Sequence, residues 1–132
     1  MKEEKGRVVT DIGRHPTDRL KMAVLPEGKG KIAITDYEKV ANFGQDYTLC
    51  RFVLQTGRTH QIRVQMSGIS HPIFGDMRYG GALAQKGKLA LWAYCLSFLH
   101  PITKERLRFI AYPPETETPW KAFDLSKAVE IV

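Results

Sequence analysis

The sequence LQTGRTHQIRVQMSGISHPIFGDMRYGG, residues 54–81, combines basic side chains with two kinds of local structure. Its first half has the apolar spacing of a short helix, and its second half is rich in turn-forming proline and glycine. Because Asp76 can accept hydrogen bonds from the amides that follow it, we predict a structural turn built from Gly75, Asp76, Tyr79 and Gly80. A catalytic role for Asp76 is the alternative.

The predicted helix begins after Thr59, whose hydroxyl can cap the first turn. His60 and Arg63 are three positions apart and therefore lie together on one side of this helix. An arginine in a cleft either binds phosphate or holds a carboxylate ionised, since its planar fork donates two parallel hydrogen bonds. A surface ion pair for Arg63 and a purely structural position for His60 are equally compatible with the residues alone. The residues at helical spacing that we expect to face the core are Ile62, Met66 and Ile69.

Most of the remaining chain has the composition of β-strands, and we predict strands at residues 6–12, 20–25, 31–41, 47–55, 89–98 and 106–111. The segment 89–98 is apolar on both faces, which is typical of a central strand. A second helix is predicted at residues 119–127, with a proline in its first turn. The pattern indicates an α+β fold, mainly antiparallel β-sheet with a few short helices, because a parallel sheet would need helices between the strands.

The charge distribution favours a polyanionic partner. Twenty lysines and arginines against fourteen acidic residues give a net charge of +6, and Asp76 is the only carboxylate within residues 47–104. A region depleted in acids carries a coherent positive potential, which favours RNA as the partner. A basic excess that serves only solubility is the alternative. The residues predicted to contact RNA in this region are Arg51, Arg78, Lys86 and Lys88.

The length of 132 residues suits a single domain, so we predict one unit over residues 1–132 with residues 1–5 disordered. The sequence contains no apolar run of membrane-spanning length and no basic-then-apolar leader, which predicts a cytoplasmic protein without a membrane partner. Cys50 and Cys95 lie in apolar runs and are predicted to be buried thiols, with a disulfide as the alternative. The scattered histidines and the lack of a Cys-x-x-Cys pair predict no metal site.

Several motifs resemble the C-terminal signature of the RluA-type RNA pseudouridine synthases. They are TGRTHQIRV at 56–64 and HPIFGDMRYGG at 71–81, with GRHPTDRLKMAV, TDYEKV and LALWAYCLSFLHPITKERLRFIAYPP in the same order around them. The resemblance covers nearly the whole chain. It implies the C-terminal half of the pseudouridine synthase fold and the isomerisation of uridine to pseudouridine in ribosomal or transfer RNA, without a cofactor.

The resemblance also implies roles for individual residues. Arg63 would be the arginine that pairs with the family's catalytic aspartate, because a guanidinium favours the ionised carboxylate in a dry pocket. Ile62 would be an apolar neighbour of the target base. The residues that would shape the site are Arg58, Thr59, His60 and Gln61.

One part of the family pattern is missing. The family's aspartate lies in a His-Arg-Leu-Asp-x-x-Thr-Ser-Gly stretch well upstream of the arginine motif, and these 132 residues contain no such stretch. HPTDRL at 15–20 shares only a His-x-x-Asp-Arg pattern, so we assign Asp18 no catalytic role. A second departure is Trp92, which stands where the family usually has histidine.

Two main functional hypotheses follow. The first is that the chain is the arginine-bearing half of an RNA pseudouridine synthase and is inactive alone. The second is a catalytically inactive, stand-alone RNA-binding module derived from such an enzyme. A third, an unrelated fold with a basic solvated face, is disfavoured because several ordered motifs agree. Half of a domain would leave sheet edges and apolar faces uncovered, which predicts self-association.

Overall fold

The computed structural model describes residues 4–44, 47–114, 116–123 and 125. All strand pairs in this part of the chain are antiparallel, which confirms the predicted α+β fold class. The elements are β1 (Lys5–Arg14), β2 (Met22–Leu25), β3 (Lys31–Phe43), β4 (Tyr47–Leu54), α1 (Gln61–Gly68), β5 (Cys95–Leu99) and β6 (Arg106–Ile110), with short 3-10 helices at Gly81–Leu83 and Trp120–Ala122.

The first four strands form one sheet in the order β2-β1-β3-β4. Because β1 lies between β2 and β3, the chain crosses from one side of β1 to the other after Leu25. The Asp11 carboxylate fixes this crossing by accepting hydrogen bonds from the amides of Gly28 and Gly30, at 2.8 and 3.2 Å. A Cβ at Gly30 would lie 2.7 Å from the carbonyl oxygen of Ile12, so only glycine lets the two backbones approach this closely.

Helix α1 packs against β1 and β2, but its start and its buried side differ from the prediction. The helix follows His60, which has a left-handed conformation with φ of 55° and no side-chain cap, so the predicted Thr59 cap is wrong. Ile69 is 37% exposed, and Ile62 is half-buried rather than in the core. Only Met66 of the predicted apolar set is fully buried. The buried residues of α1 are Gln61, Val64, Gln65 and Met66.

Two glutamines of α1 hold the helix on the sheet. The side-chain amide of Gln65 donates to the carbonyl of Ala33 and to Thr10 Oγ1, both at 3.0 Å, and its oxygen accepts from Thr35 Oγ1 at 2.6 Å. Gln61 donates to Thr35 Oγ1 at 2.8 Å. These directional bonds fix α1 in one position on β1 and β3, which apolar packing alone specifies less strictly.

The second sheet is the β5–β6 hairpin, and it does not match the central strand predicted at residues 89–98. The strand begins at Cys95, and all five of its residues are exposed. Within the described residues its only strand partner is β6. Because all five side chains of β5 are exposed, neither face of the strand is covered. An open groove of about 1400 Å³ separates this hairpin from β3 and β4.

A small apolar core closes the end of the groove. Leu49 and Leu125 are buried there, and the half-buried side chains packed against them are Val40, Ala41, Tyr94, Trp120 and Phe123. The helix predicted at 119–127 is a single 3-10 turn, Trp120–Ala122, in the described residues. Residues 124 and 126–127 of that prediction lie outside them.

At the N-terminus, residues 1–3 of the segment predicted to be disordered lie outside the described residues. In contrast to the prediction, Lys5 begins β1, and the Glu4 carbonyl accepts a hydrogen bond from the Lys39 amide at 2.7 Å. Cys50 and Cys95 are free thiols, but the predicted burial is wrong for Cys95, which is exposed at the start of β5. Cys50 is half-buried, and burial raises the pKa of its thiol. Among the described helices, none has the length and apolar character needed to cross a membrane.

Candidate active site

The central feature of the site is a bidentate ion pair between α1 and the glycine-rich turn. Arg63 Nε and Nη2 donate to the two carboxylate oxygens of Asp76, at 3.0 and 2.9 Å. The Asp76 side chain has no exposed surface, whereas that of Arg63 is 18% exposed. The third guanidinium nitrogen, Nη1, makes no hydrogen bond within the described residues, so one end of the fork is open to a further acceptor.

Tyr79 connects this ion pair to its surroundings. Its ring lies under the guanidinium, with Arg63 Cζ 5.1 Å from the ring centre. Its backbone amide donates to Asp76 Oδ1 at 3.1 Å. Its hydroxyl is 2.7 Å from His60 Nδ1 and accepts from the Met22 amide at 3.0 Å. The tyrosine therefore holds the helix start, the turn and the beginning of β2 together around Arg63.

The electrostatics of the site keep its ion pair charged and its histidine neutral. Burial raises the pKa of Asp76, but the hydrogen bonds from Arg63 and the Tyr79 amide outweigh burial, so the net pKa is lowered. The hydrogen bond to Asp76 raises the pKa of Arg63. Burial, together with the charges of Arg63 and Arg78, lowers the pKa of His60. A neutral imidazole can serve the Tyr79 hydroxyl as donor or acceptor.

The turn itself depends on two glycines. Gly75 has a φ of 78°, and a Cβ there would lie 2.2 Å from the Lys88 carbonyl oxygen. A Cβ at Gly80 would lie 2.5 Å from the carbonyl oxygen of Asp76. The same carbonyl accepts a hydrogen bond from the Gly80 amide at 2.9 Å. The turn residues thus place the buried carboxylate opposite α1.

The other predicted site residues do not converge on Arg63. Arg58 Nε donates to the Ile32 carbonyl at 2.9 Å, and Thr59 is exposed in the preceding turn. Gln61 lies in the core, 3% exposed, where it binds β3. Ile62 lines the large groove, which Arg63 does not line. Of the helix residues predicted for the site, His60 and Arg63 are the two that the structure brings together.

The residues predicted to contact RNA are dispersed. Arg51 forms an ion pair with Glu38 on the neighbouring strand, and Lys88 Nζ lies 3.2 Å from Glu117. Lys86 is exposed between the turn and β5. Arg78 lies on the other side of the turn, where its Nη1 donates to the Leu20 carbonyl at 3.2 Å.

Two features of the site escaped sequence reasoning. The sequence signal for the pairing of Arg63 with Asp76 was that Asp76 is the single carboxylate within residues 47–104 and therefore the acidic residue closest to Arg63 along the chain. The linking role of Tyr79 had no sequence signal, because its contacts come from residues 19 and 57 positions away. No group of three or more potential metal-ligating side chains occurs among the residues that the structure describes.

Comparisons with known proteins agree with the motifs. The family model of RNA pseudouridylate synthases matches residues 1–68. An RNA pseudouridine synthase of Bacillus subtilis is 41% identical over 130 residues, covering 98% of this chain and 42% of that protein. Ribosomal large subunit pseudouridine synthase D of Vibrio parahaemolyticus is 45% identical, covering 83% of this chain and 37% of that protein.

A solved structure shows the same likeness in three dimensions. Human RNA pseudouridylate synthase domain containing 1 superimposes with a TM-score of 0.67 at 26% identity, covering 91% of this chain and 52% of that one. The chain therefore spans about half of that structure and about two fifths of the curated relatives. Since the family model covers just over half of these residues, the chain belongs to the RNA pseudouridylate synthase family, and its resemblance to the RluA-type members is confirmed.

Proposed function

We propose that these 132 residues form one unit, the part of an RNA pseudouridine synthase catalytic domain that supplies the active-site arginine, Arg63. The observation that carries the proposal is the presentation of Arg63. Asp76 and Tyr79 hold the guanidinium rigidly, and Nη1 remains open on a partly exposed surface. A guanidinium fixed in this way can pair with a second carboxylate at no further cost in side-chain entropy.

The second carboxylate is the catalytic aspartate of the family pattern, which is not among these residues. Arg63 would keep that aspartate ionised so that it can attack the flipped nucleotide. The N1–C1′ bond of uridine breaks, the base rotates, and a C5–C1′ bond forms. The C5 proton leaves to solvent and N1 takes up a proton, so the atoms balance. The reaction is an isomerisation, and the role of this chain in it is electrostatic and positional.

The substrate that fits this proposal is RNA, in line with the names of the relatives. The named Vibrio relative acts on large-subunit ribosomal RNA, and we propose uridines of ribosomal or transfer RNA as the targets here. The positive charge of the chain supports a polyanion in general. The particular nucleotide is a matter for the modification assay.

The experiment uses the native gene product that contains these residues and RNA labelled with tritium at uridine C5. Formation of the C5–C1′ bond releases that tritium, so its release measures turnover. Arg63→Ala should reduce turnover by at least a thousandfold and leave RNA affinity within a few-fold, because Arg63 acts on charge in the transition state. Lys121→Ala, which removes an exposed cation from the 3-10 helix Trp120–Ala122, is the control. Substantial turnover by Arg63→Ala would refute the role of Arg63.

A second candidate is supported by the same ion pair. Asp76 already occupies the bidentate edge of Arg63, so the arginine can also be a purely structural part of an inactive RNA-binding module. This candidate predicts RNA binding with steep salt dependence and no tritium release from any assembly of the native gene product. Tritium release by that product would eliminate it.

We further propose that the chain by itself associates with a second copy through the β5–β6 hairpin. The proposal is supported by exposed apolar side chains on both faces of the hairpin. Leu96 and Phe109 lie on one face, at 61 and 57% exposure, and Leu99 and Ile110 lie on the other, at 53 and 46%. Uncovered faces and strand edges of this kind favour pairing with another chain. Light scattering of the 132-residue chain over a hundredfold concentration range should show dimers, and a monomer throughout would contradict the proposal.

A further inference from the structure

The loop that connects β1 to β2 is attached directly to the Arg63 site. The Met22 amide at its end donates to the Tyr79 hydroxyl at 3.0 Å, and Arg78 Nη1 donates to the Leu20 carbonyl at 3.2 Å. Since Tyr79 also lies under the Arg63 guanidinium, residues 15–21 form the rim of the site.

Internal hydrogen bonds hold residues 15–21 in one loop conformation. His15 Nδ1 accepts from the amides of Thr17 and Asp18, at 3.2 and 3.0 Å, and Asp18 Oδ1 accepts from the Leu20 amide at 2.9 Å. The His15 amide donates to the Lys21 carbonyl at 3.1 Å, which closes the loop. Side chains on such a loop are presented in a defined arrangement.

Three arginines are gathered on the loop, and we call Arg14, Arg19 and Arg78 the basic loop surface. Arg14 Nη1 donates to the Arg19 carbonyl at 3.4 Å and Arg78 Nη1 to the next carbonyl, that of Leu20, so consecutive carbonyls hold two guanidiniums side by side. Each guanidinium keeps further N–H groups for other acceptors. All three arginines are exposed.

The charges of this surface are not neutralised by any acidic side chain among the described residues. Within the part of the chain that the structure describes, neither these three arginines nor Asp18, the carboxylate of the loop, forms an ion pair. Arginines elsewhere in the first sheet do form ion pairs, namely Arg7 with Asp36 and Arg51 with Glu38. Three adjacent, exposed guanidiniums create a local positive potential and offer several N–H donors, which together favour the binding of an anion.

We propose that the basic loop surface binds the phosphates of the RNA strand next to the uridine presented to Arg63. The choice of RNA rests on the proposed function, while the phosphate chemistry rests on the guanidiniums. Leu20, 74% exposed between Arg14 and Arg78, offers an apolar contact to an unstacked base of the same strand. The surface would thereby fix the RNA backbone while the target nucleotide is turned towards Arg63.

Arg19→Gln is the decisive variant, because the Arg19 side chain makes no hydrogen bond within the described residues and its loss leaves the loop intact. The control is Lys121→Gln, which has the same change of charge. Binding of the full chain to a fluorescently labelled RNA stem-loop with uridines in its loop is measured across a series of KCl concentrations. We expect Arg19→Gln to weaken binding about three- to tenfold and to lower the slope of log K against log salt by about 0.7 to 0.9. Lys121→Gln should stay within about twofold.

Three results would refute the proposed role of the basic loop surface. They are no RNA binding by the wild-type chain, equal losses of RNA affinity in Arg19→Gln and Lys121→Gln, or binding to phosphatidylserine vesicles in preference to RNA. Arg78→Gln and Arg14→Gln should repeat the Arg19→Gln result, with circular dichroism confirming the fold. If Arg63→Ala abolishes turnover of the native gene product while Arg19→Gln leaves RNA affinity unchanged, the proposed function is supported and the RNA-binding role of the basic loop surface is refuted. If RNA binding depends on Arg19 but the native gene product forms no pseudouridine, the basic loop surface is supported and the proposed function is refuted.

Discussion

Arg63 and Asp76 form a bidentate ion pair in which Nε and Nη2 lie 3.0 and 2.9 Å from the two carboxylate oxygens. The carboxylate is fully buried, and the Arg63 side chain is 18% exposed. Neither charge would be stable there without the other, because burial of an unpaired ion costs several kcal/mol. Asp76 consequently sets the direction in which the remaining nitrogen of Arg63 points.

Asp76→Asn should destabilise the chain strongly. The variant keeps the shape of the side chain but leaves Arg63 as an uncompensated, mostly buried cation, which costs on the order of 3 kcal/mol of unfolding free energy. Urea denaturation followed by circular dichroism measures the loss. Asp36→Asn is the matched control, since it breaks the exposed ion pair with Arg7 and should have a much smaller effect. Equal losses would show that the Arg63–Asp76 pair contributes no more than a surface contact.

Acid should destabilise the chain below about pH 6.5, the ordinary pKa of histidine. The folded chain holds the pKa values of His60 and His71 below that value, in both cases chiefly through burial. The unfolded chain then binds protons first, so stability is fully present above pH 6.5 and is lost as the pH falls through the folded pKa values. Unfolding free energies at pH 7.5 and 5.5 measure the difference.

Substituting His60 by asparagine separates its share of this acid sensitivity. Asparagine tolerates the left-handed φ of 55° at this position, so the backbone is preserved. The drop between pH 7.5 and 5.5 should become smaller in His60→Asn and smaller still when His71→Asn is added. An unchanged drop in the double variant would mean that other groups cause it.

The sequence allowed five of the strands and the glycine turn to be predicted, because both depend on local patterns of alternation and turn-forming residues, whereas the strand predicted at 89–98 begins only at Cys95. The buried side of α1 could not be predicted in this way. Helical spacing selected Ile62 and Ile69, whereas the structure buries Gln61 and Gln65. Polar side chains become core residues only where specific acceptors lie opposite, and those acceptors belong to strands about 26 to 55 residues away.

Part of the candidate site could likewise be predicted from the sequence, and part of it could not. The proximity of His60 and Arg63 follows from a three-residue spacing on a helix. The basic loop surface instead depends on the placement of residues 15–21 over the turn that contains Arg78, a tertiary contact across 58 positions. The exposed β5 shows the limit of pattern reasoning as well: its composition is that of a buried strand, but composition does not say which neighbour covers it.

Gly75→Ala should be much more disruptive than Gly81→Ala, although both glycines have positive φ values, of 78° and 55°. A Cβ at Gly81 meets nothing within 4 Å, so the cost is the left-handed strain alone, about 1 kcal/mol. At Gly75 the Cβ would lie 2.2 Å from the Lys88 carbonyl oxygen, which forces the turn and the segment before β5 apart. Thermal unfolding of the two variants measures the contrast, and equal midpoints would contradict it.

Gln65→Leu should destabilise the chain by on the order of 3 kcal/mol, because the buried Thr35 hydroxyl loses the acceptor of its proton and the Ala33 carbonyl loses its side-chain donor. Gln55→Leu, at an exposed glutamine that binds Asp36, is the control and should stay within about 0.5 kcal/mol.

The double variant Gln65→Leu with Thr35→Val decides whether hydrogen bonding or shape causes the loss. Since it removes both partners of the 2.6 Å bond together, the double variant should lose less than the sum of the two single variants. Urea denaturation of the four members of this cycle gives the coupling free energy. A coupling near zero would mean that α1 is held by packing, and that the glutamines do not determine where Arg63 is presented.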